Sequence, residues 1–401
     1  MNKAPSLVAA MILTRAFSPE TMGYYFVFSA VCFLILIPTT FGTHQFLVRG
    51  VAKAPNDSLE LLRDVLALKL SLTLIALGLV NLGVAIAAPS HLLVMAPISL
   101  FVLAGDFSTS FGAFITGQRA FLLRFLVSLP GPIVLVSSVP LIVGAGATLS
   151  TTLLCFVASS LVAVMVGWAT VRIKYGRFSM GNVDFAGIRR LLILCSPFVG
   201  LEILQVIQFK ADALMVFWII SSEAAAQYET AYRLLEVSRI VARPLATSAL
   251  PICAFLIAQG DWTAARSRAG QAVLYAALLG FVPMAMGLIA PEWIMTFVWG
   301  AAYEQGAGIL RVLLLGTPLV YVVLIGVMLT IVLEREIALI KIMCAAAVFN
   351  ILLNALVIPT WGGTGAAWTT LATETLIVIG LLLVLRDSDF IVPSISSKAE
   401  G

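Results

Sequence analysis

Five charged side chains recur along one strongly apolar segment, residues 225–257. At 100° per residue on a helix they fall within an arc of about 120° and form a single polar stripe. A charge at the centre of a bilayer costs on the order of 3 kcal/mol or more, so this stripe must line water or meet partners. Its arginines suit an anion such as phosphate, which they bind through two parallel hydrogen bonds. The stripe consists of Glu229, Arg233, Glu236, Arg239 and Arg243.

An internal ion-pair ladder is the alternative interpretation of this stripe. Arg233 and Glu236, and again Glu236 and Arg239, have the i,i+3 spacing of helical neighbours. The ladder leaves Arg243, and with it Arg239, without an acidic partner in the stripe. That surplus of positive charge favours an anion-binding cavity over a purely structural ladder.

The preceding apolar segment carries opposite charges in the stretch VIQFKADALMVFW, residues 206–218. Glu202, Gln205, Gln208 and Asp212 share one helical face. The two glutamines are typical of hydrogen bonds between membrane helices, whereas a carboxylate at this depth is a functional candidate by default. Lys210 points elsewhere and is expected either to extend toward the membrane surface or to meet an acid from a neighbouring helix.

Neutral oxygen ligands lie in the last two apolar segments. Asn350 and Asn354 have i,i+4 spacing, and Thr370 and Glu374 follow near the start of the next segment. Such a set with one or two carboxylates suits a hard monovalent cation or a proton relay. Hydrogen bonding between helices is the alternative for the asparagines and threonines.

Three charged residues of the first half are further candidates. Asp106, in the stretch LAGDFSTSFG, is expected to be either a second carboxylate linked to protons or substrate or an internally paired acid. Arg15 and Arg49 end the first two apolar segments. The excess of basic residues on the cytoplasmic side accounts for Arg49 but leaves Arg15 on the outer side.

The composition places the chain in a membrane. It has 401 residues, of which 61% are hydrophobic and 11% charged, compared with about 25% charged in ordinary soluble domains. The apolar runs are continuous and without the period-two alternation of a β-barrel, so they predict helices. The net charge of +4 comes from scattered residues and does not indicate nucleic-acid binding. The five cysteines and two histidines lack the spacing of a metal site or disulfide framework, so we predict neither metal nor cofactor.

Twelve membrane-spanning helices are predicted. With the N-terminus inside, most of the 24 basic residues, including Lys69, fall in inner loops, and the outer loops PSH, GAGATLS and PTWGGTG carry none. Both termini are therefore expected on the cytoplasmic side. The first span is short for a core of about 30 Å. The spans are 4–17, 24–48, 65–88, 92–117, 122–144, 150–171, 190–219, 225–257, 270–299, 307–333, 337–359 and 365–386.

Two halves of the chain resemble each other. PLIVGAGATLSTTL (140–153) is matched by PTWGGTGAAWTTL (359–371), and SPETMGYYF (18–26) by SSEAAAQYETAY (221–232). The matches lie at equivalent points of two six-helix lobes, 1–180 and 181–401. Because six is even, the lobes would run parallel, related by an axis along the membrane normal. We therefore expect an all-α polytopic membrane protein with about twelve transmembrane helices in two parallel six-helix lobes around a central cavity, a transporter layout.

Several stretches resemble a known family. These are ILTRAFSPETMGYYFVFSAV, KADALMVF followed by QYETAYRL, FVWGAAYEQGAGILRVLLLG, and FNILLNALVIPTWGGTGAAWTTLATE. They are similar to the bacterial O-antigen and polysaccharide flippases of the multidrug/oligosaccharidyl-lipid/polysaccharide exporter superfamily. The resemblance covers nearly the whole chain. Compared with the usual start of that family, the first helix is expected to be clipped by several residues.

The resemblance implies a function and a location. The protein would flip an undecaprenyl-pyrophosphate-linked oligosaccharide across the bacterial inner membrane by alternating access, for surface polysaccharides such as lipopolysaccharide, without a covalent step. A polysaccharide polymerase or ligase is an expected further partner, besides the membrane lipids. The pyrophosphate would meet a set of cavity arginines: Arg15, Arg49, Arg233, Arg239 and Arg243.

The resemblance also implies a coupling site for Na⁺ or H⁺. In related lipid II flippases the seventh, eleventh and twelfth helices hold a cation, and Asp212, Asn350, Asn354 and Thr370 occupy comparable places here. Asn354 replaces an acid of that site. Glu374 and Asp106 complete the candidate coupling residues.

Other functions remain open from the sequence. A cation-coupled multidrug extruder of the same superfamily would be expected to show an acidic cavity instead of the arginines. A membrane-embedded glycosyltransferase or polymerase would need a sizeable extramembrane loop with convergent acids, and the outer connections are short. An inactive scaffold in a polysaccharide synthesis complex is a further alternative.

Overall fold

The protein is helical throughout the residues that the computed structural model describes, which are 3–54, 58–87, 92–146, 148–176 and 185–387. The side chains of residues 196–209 also lie outside that description. Within these described ranges, fifteen α-helices and one short 3-10 helix follow each other in chain order: α1 Lys3–Ala16, α2 Pro19–Thr40, α3 Thr43–Lys53, α4 Ser58–Ala87, α5 Leu92–Gly117, α6 Phe121–Val127, α7 Pro130–Gly144, α8 Leu149–Lys174, α9 Phe185–Ile219, α10 Ser222–Ala258, α11 Trp262–Ile289, α12 Pro291–Trp299, the 3-10 helix Ala301–Gly306, α13 Ala307–Leu315, α14 Thr317–Val332 and α15 Glu336–Asp387.

Several long helices begin at residues that cap them. The hydroxyl of Thr148 accepts a hydrogen bond from the backbone N–H of Thr151 at the start of α8. Ser221 does the same at α10 and Asp261 at α11. Each side-chain oxygen satisfies a backbone N–H that has no partner within the helix, so short polar residues between apolar runs decide where these helices start.

The helices have the length and hydropathy of membrane spans. Within the described part of the chain, seven helices are long and apolar enough to cross a membrane, or eight if 301–315 and 317–332, bent by 45°, count as one span. The 52 residues of α15 would extend about 78 Å as one straight helix, far more than a bilayer core of about 30 Å. Gly362 breaks it with φ 56° and ψ −140°, a conformation open to glycine, so α15 supplies two spans.

Helix lies at each of the twelve predicted spans, and the prediction of an all-helical, multi-pass membrane protein is confirmed. Several predicted boundaries are wrong, among them those of the second and ninth spans. The second span is interrupted at Phe41 and Gly42, which have positive φ, and α3 begins only at Thr43. The ninth span ends at Ile289, because Pro291, which has no N–H to donate, starts the separate helix α12.

Contacts divide the chain into two compact units. Unit 1 comprises Met1–Phe17 and Val27–Val206, and unit 2 comprises Ser18–Phe26 and Ile207–Gly401. The start of α2 therefore belongs to unit 2. There Gly23 approaches the carbonyl of Ser222 so closely that a Cβ would lie 1.9 Å from its oxygen. The predicted division of the chain after residue 180 stays a prediction.

Small residues allow the helices of unit 2 to pack closely. One buried cluster joins α10, α11 and α14 through alanines at helical spacing, among them Ala265, Ala269, Ala272 and Ala276 of α11. Gly280 continues this row, where a Cβ would lie 2.6 Å from the Cα of Pro318. Close backbone approach of this kind is typical of helix association in membranes. It holds α10, with its charged stripe, in a defined orientation.

Candidate functional site

Asp212 lies at the centre of a buried polar cluster in unit 2. Asp212 is only 3% exposed. Its carboxylate accepts hydrogen bonds from side chains of three other helical segments. Asn354 Nδ2 lies 2.6 Å from Asp212 Oδ1, and the hydroxyls of Tyr228 and Thr370 lie 2.8 Å and 2.9 Å from Asp212 Oδ2. A buried carboxylate without such donors would be very costly. The cluster therefore ties α9, α10 and both parts of α15 to one charged group.

The break at Gly362 brings the asparagines and threonines of α15 together. Asn350 Oδ1 accepts a hydrogen bond from Asn354 Nδ2 at 3.2 Å, and Asn350 Nδ2 donates to Thr373 Oγ1 at 3.4 Å. Residues before and after the break thus meet side by side, as their positions in the predicted eleventh and twelfth spans suggest.

One buried oxygen atom of this cluster, Asn354 Oδ1, has no hydrogen-bond partner among the described residues. Unsatisfied buried acceptors are rare in proteins and call for a cause. Together with the carboxylate of Asp212 it is an oxygen ligand of the kind that hard cations prefer. Among the residues that the structure describes, no three His, Cys, Asp or Glu side chains converge as a metal site, so the donors available here are mostly neutral oxygens.

Two residues of the charged stripe of α10 form ion pairs with other helices. Glu229 Oε1 lies 2.7 Å from Lys210 Nζ of α9, and Arg239 Nη2 lies 2.7 Å from Glu374 Oε1 of α15. Glu374, predicted among the coupling residues, thus faces an arginine that was predicted for the substrate. The sequence leaves Arg239 without an acidic partner within the stripe. In the structure its partner is Glu374, 135 positions further along the chain.

The remaining arginines of the stripe have different surroundings. Arg233 places its guanidinium carbon 4.8 Å from the ring centre of Phe26, a cation–π contact within unit 2. Its Nε is buried and has no hydrogen-bond partner. Arg243 is exposed and forms no ion pair with any acid in the described part of the chain. The positive charge open to a ligand is therefore concentrated at the Arg243 end of the stripe.

Asp106 belongs to unit 1 and is a fully paired acid. Lys69 Nζ lies 2.6 Å from Asp106 Oδ1, and Thr73 Oγ1 donates to Oδ2 at 3.2 Å. The side chains of Lys69 and Asp106 are 1% and 0% exposed. The expectation of Lys69 in an inner loop is wrong, because α4 begins at Ser58 and carries Lys69 into its buried interior. Of the two interpretations of Asp106, the structure shows the internal pair.

Arg15 and Arg49 also lie in unit 1, near the ends of α1 and α3, and both are exposed. The predicted arginine set is thus divided between the two units. The predicted polar face formed by Glu202, Gln205 and Gln208 lies outside the described side chains.

Sequence reasoning missed Tyr228, which binds Asp212 and stacks on Tyr232 with ring centres 5.9 Å apart. It also missed Phe26 beneath Arg233. A buried tyrosine hydroxyl usually has a partner, which is a general signal for Tyr228. Nothing in its spacing could identify Asp212 as that partner, because the contact depends on how α9 packs against α10.

Comparisons with solved structures define the class of fold. A multidrug-resistance MATE family transporter of the MOP superfamily in an inward-facing conformation matches with a TM-score of 0.77 and 13% identity, covering 100% of this chain and 96% of that one. The lipid II flippase MurJ matches with a TM-score of 0.72 and 14% identity over 99% and 88%. A MOP superfamily transporter from Pyrococcus furiosus, described as having a binding pocket of reversed polarity, gives 0.60 and 13% over 96% and 92%. The fold is that of the MOP-superfamily transporters.

Family comparison is more specific. The polysaccharide biosynthesis protein family matches residues 2–256, well over half of the chain, and the MatE family matches residues 197–356. The chain belongs to the polysaccharide biosynthesis protein family, which confirms the resemblance carried by its residues. A sequence comparison with curated proteins finds no match.

Proposed function

We propose that this protein flips an undecaprenyl-pyrophosphate-linked oligosaccharide from the cytoplasmic to the outer leaflet of the bacterial inner membrane. The transport serves surface polysaccharide synthesis and involves no covalent step. The observation that carries this proposal is the arginine stripe of α10 in a member of the polysaccharide biosynthesis family. A polymerase or ligase would take up the flipped product.

Arginines suit the pyrophosphate for electrostatic and geometric reasons. A guanidinium offers a planar fork of N–H donors that matches phosphate oxygens, and it stays charged at any physiological pH. Arg243 is exposed and has no acid beside it among the described residues, and Arg239 lies one turn away along the same helix. Because charges at membrane depth are expensive, arginines retained there need a compensating ligand. Arg233 lies on the same stripe, and Arg15 and Arg49 of unit 1 stay predicted contacts of the headgroup.

The Asp212 cluster is the proposed coupling site. A cation or proton bound by Asp212 would use the oxygens of Asn350, Asn354 and Thr370, with the unpaired Asn354 Oδ1 as the atom most in need of a positive partner. One carboxylate among neutral oxygens suits a monovalent ion such as Na⁺, and the same carboxylate could carry a proton instead. Different affinities of the inward- and outward-facing states for ion and headgroup would then give transport its direction.

A multidrug extruder is the second candidate, favoured by the match of the MatE family to residues 197–356. Extruders of cationic drugs need uncompensated acids near their substrate. In unit 2, Glu229 and Glu374 each already hold a cation, Lys210 and Arg239, and Asp212 is buried under three hydrogen-bond donors. The exposed Arg243, which forms no ion pair with a described acid, is the reason to prefer an anionic substrate.

Deletion of the gene followed by mass spectrometry of the polyprenyl-linked lipids tests the proposal. Accumulation of one undecaprenyl-pyrophosphate oligosaccharide, reversed by the wild-type gene, is the expected result, and its mass identifies the sugar. If no such lipid accumulates and the cells become sensitive to cationic dyes, the extruder is the better assignment.

A further inference from the structure

Among the described residues, Arg239 of the α10 stripe holds a buried carboxylate from another helix, that of Glu374. The side chains of Arg239 and Glu374 are 14% and 6% exposed, and their charged groups meet at 2.7 Å. One turn further along α10, Arg243 is exposed and forms no ion pair with a described acid. Residues at i and i+4 are neighbours, with Cβ atoms about 5–6 Å apart, so one ligand can reach both arginines.

The carboxylates near this face are already engaged. Glu374 pairs with Arg239, Glu229 pairs with Lys210, and Asp212 accepts hydrogen bonds from three neutral donors. Arg243 forms no ion pair with a described acid. A single phosphate group can therefore pair with Arg243, but it cannot also take Arg239 without leaving Glu374 buried beside a competing anion. Breaking a buried ion pair without replacing its partner is strongly unfavourable.

We propose that Glu374 determines the specificity of this site by excluding headgroups with a single phosphate. The proposal rests on the pyrophosphate function given above and deepens it. A bacterial membrane holds anionic phospholipids in large excess over any lipid-linked sugar. Arginines without an acidic partner would bind the phosphate groups of these phospholipids. A diphosphate meets the same cost at Glu374, but its second phosphate forms a full ion pair with Arg239 that offsets this cost while the first phosphate keeps Arg243. Glu374 is thus a specificity residue, whose removal relaxes selectivity.

Farnesyl diphosphate and farnesyl monophosphate are suitable probes, because they share one tail and differ only in the second phosphate. Binding of each to the purified full chain in neutral detergent can be measured by competition with a fluorescent prenyl diphosphate. The wild-type protein should prefer the diphosphate by about tenfold or more, the ratio that about 1.4 kcal/mol of discrimination gives. In Glu374→Gln, the monophosphate should bind at least about fivefold more tightly while the diphosphate changes less, which reduces that ratio.

Glu292→Gln is the matched control. It removes the same charge from unit 2, but Glu292 lies on α12, pairs with Arg311 at 3.0 Å and is half exposed. Its selectivity should equal that of the wild type. Glutamine at 374 can still accept a hydrogen bond from Arg239, so folding should be kept, and thermal unfolding of the purified variant checks this.

The results separate the specificity role of Glu374 from the pyrophosphate assignment on which it rests. A wild-type protein that binds both probes equally overturns the role of Glu374 without any variant. An unchanged ratio in a folded Glu374→Gln protein does the same. If neither probe binds to the wild type or the variant, the pyrophosphate assignment fails, and the inference fails with it.

Discussion

The buried ion pair between Lys69 and Asp106 allows a structural and a functional acid to be told apart. Asp106→Asn removes the carboxylate that lies 2.6 Å from Lys69 Nζ, in a place where neither side chain is more than 1% exposed. The ammonium keeps neutral acceptors but no counter-charge: the amide oxygen that replaces the carboxylate, the backbone carbonyl of residue 106 at 3.3 Å and the hydroxyl of Thr109 at 3.4 Å. An uncompensated buried charge of this kind costs about 3–5 kcal/mol.

The double variant Lys69→Met/Asp106→Leu removes both charges and keeps a comparable volume. Replacing a buried pair by apolar side chains is often neutral or stabilising, so this variant should recover most of the lost stability. For a unit of roughly 200 residues, about 3–5 kcal/mol lowers the unfolding temperature by on the order of 10 °C. Thermal unfolding of the purified proteins, followed by tryptophan fluorescence in one detergent, measures both effects.

Transport by the double variant completes the test. If Asp106 only balances Lys69, the folded double variant should prevent accumulation of the lipid-linked sugar in the deletion strain. A stable double variant without transport would return Asp106 to the coupling residues. An Asp106→Asn protein that unfolds within a degree of the wild type would refute the energetic reasoning.

Three further predictions follow from unit 2. Arg239→Ala and Arg243→Ala should each abolish flipping but not membrane insertion, because the headgroup loses a charge-assisted partner; lipid accumulation and a membrane blot measure this. Asp212→Asn should remove the ion dependence of transport in vesicles, because the neutral side chain no longer compensates a cation. Gly280→Ala should lower stability by about 1–3 kcal/mol, since its Cβ would lie 2.6 Å from backbone, whereas Gly270→Ala, with no atom within 4 Å of its Cβ, should not; thermal unfolding compares the two.

Specific results would contradict these predictions. Wild-type transport by both arginine variants would remove the pyrophosphate from α10. Ion dependence unchanged in Asp212→Asn would make the Asp212 cluster a structural element. Equal unfolding temperatures of the two glycine variants would show that α11 and α14 can move apart at no cost.

The helical segments and the charged stripe are properties of local sequence. Continuous apolar runs of bilayer length predict spanning helices because every backbone polar group in lipid must be satisfied within its own segment. The spacing of Arg233, Arg239 and Arg243 on one face follows from 3.6 residues per turn alone. The resemblance to a family groups four further residues, which form one hydrogen-bonded cluster in the structure: Asp212, Asn350, Asn354 and Thr370.

The partners of the charges are decided by tertiary structure. Lys69 and Asp106 are 37 positions apart, Lys210 and Glu229 19, and Arg239 and Glu374 135. Helical periodicity predicts which side chains share a face of one helix, but it carries no information on which face of another helix packs against it. Burial in a medium of low dielectric then makes the pairing obligatory, since an ion left alone there costs several kcal/mol. The sequence by itself therefore determines a helical membrane protein with charges at depth, and the packing of the helices determines which charges remain for a ligand.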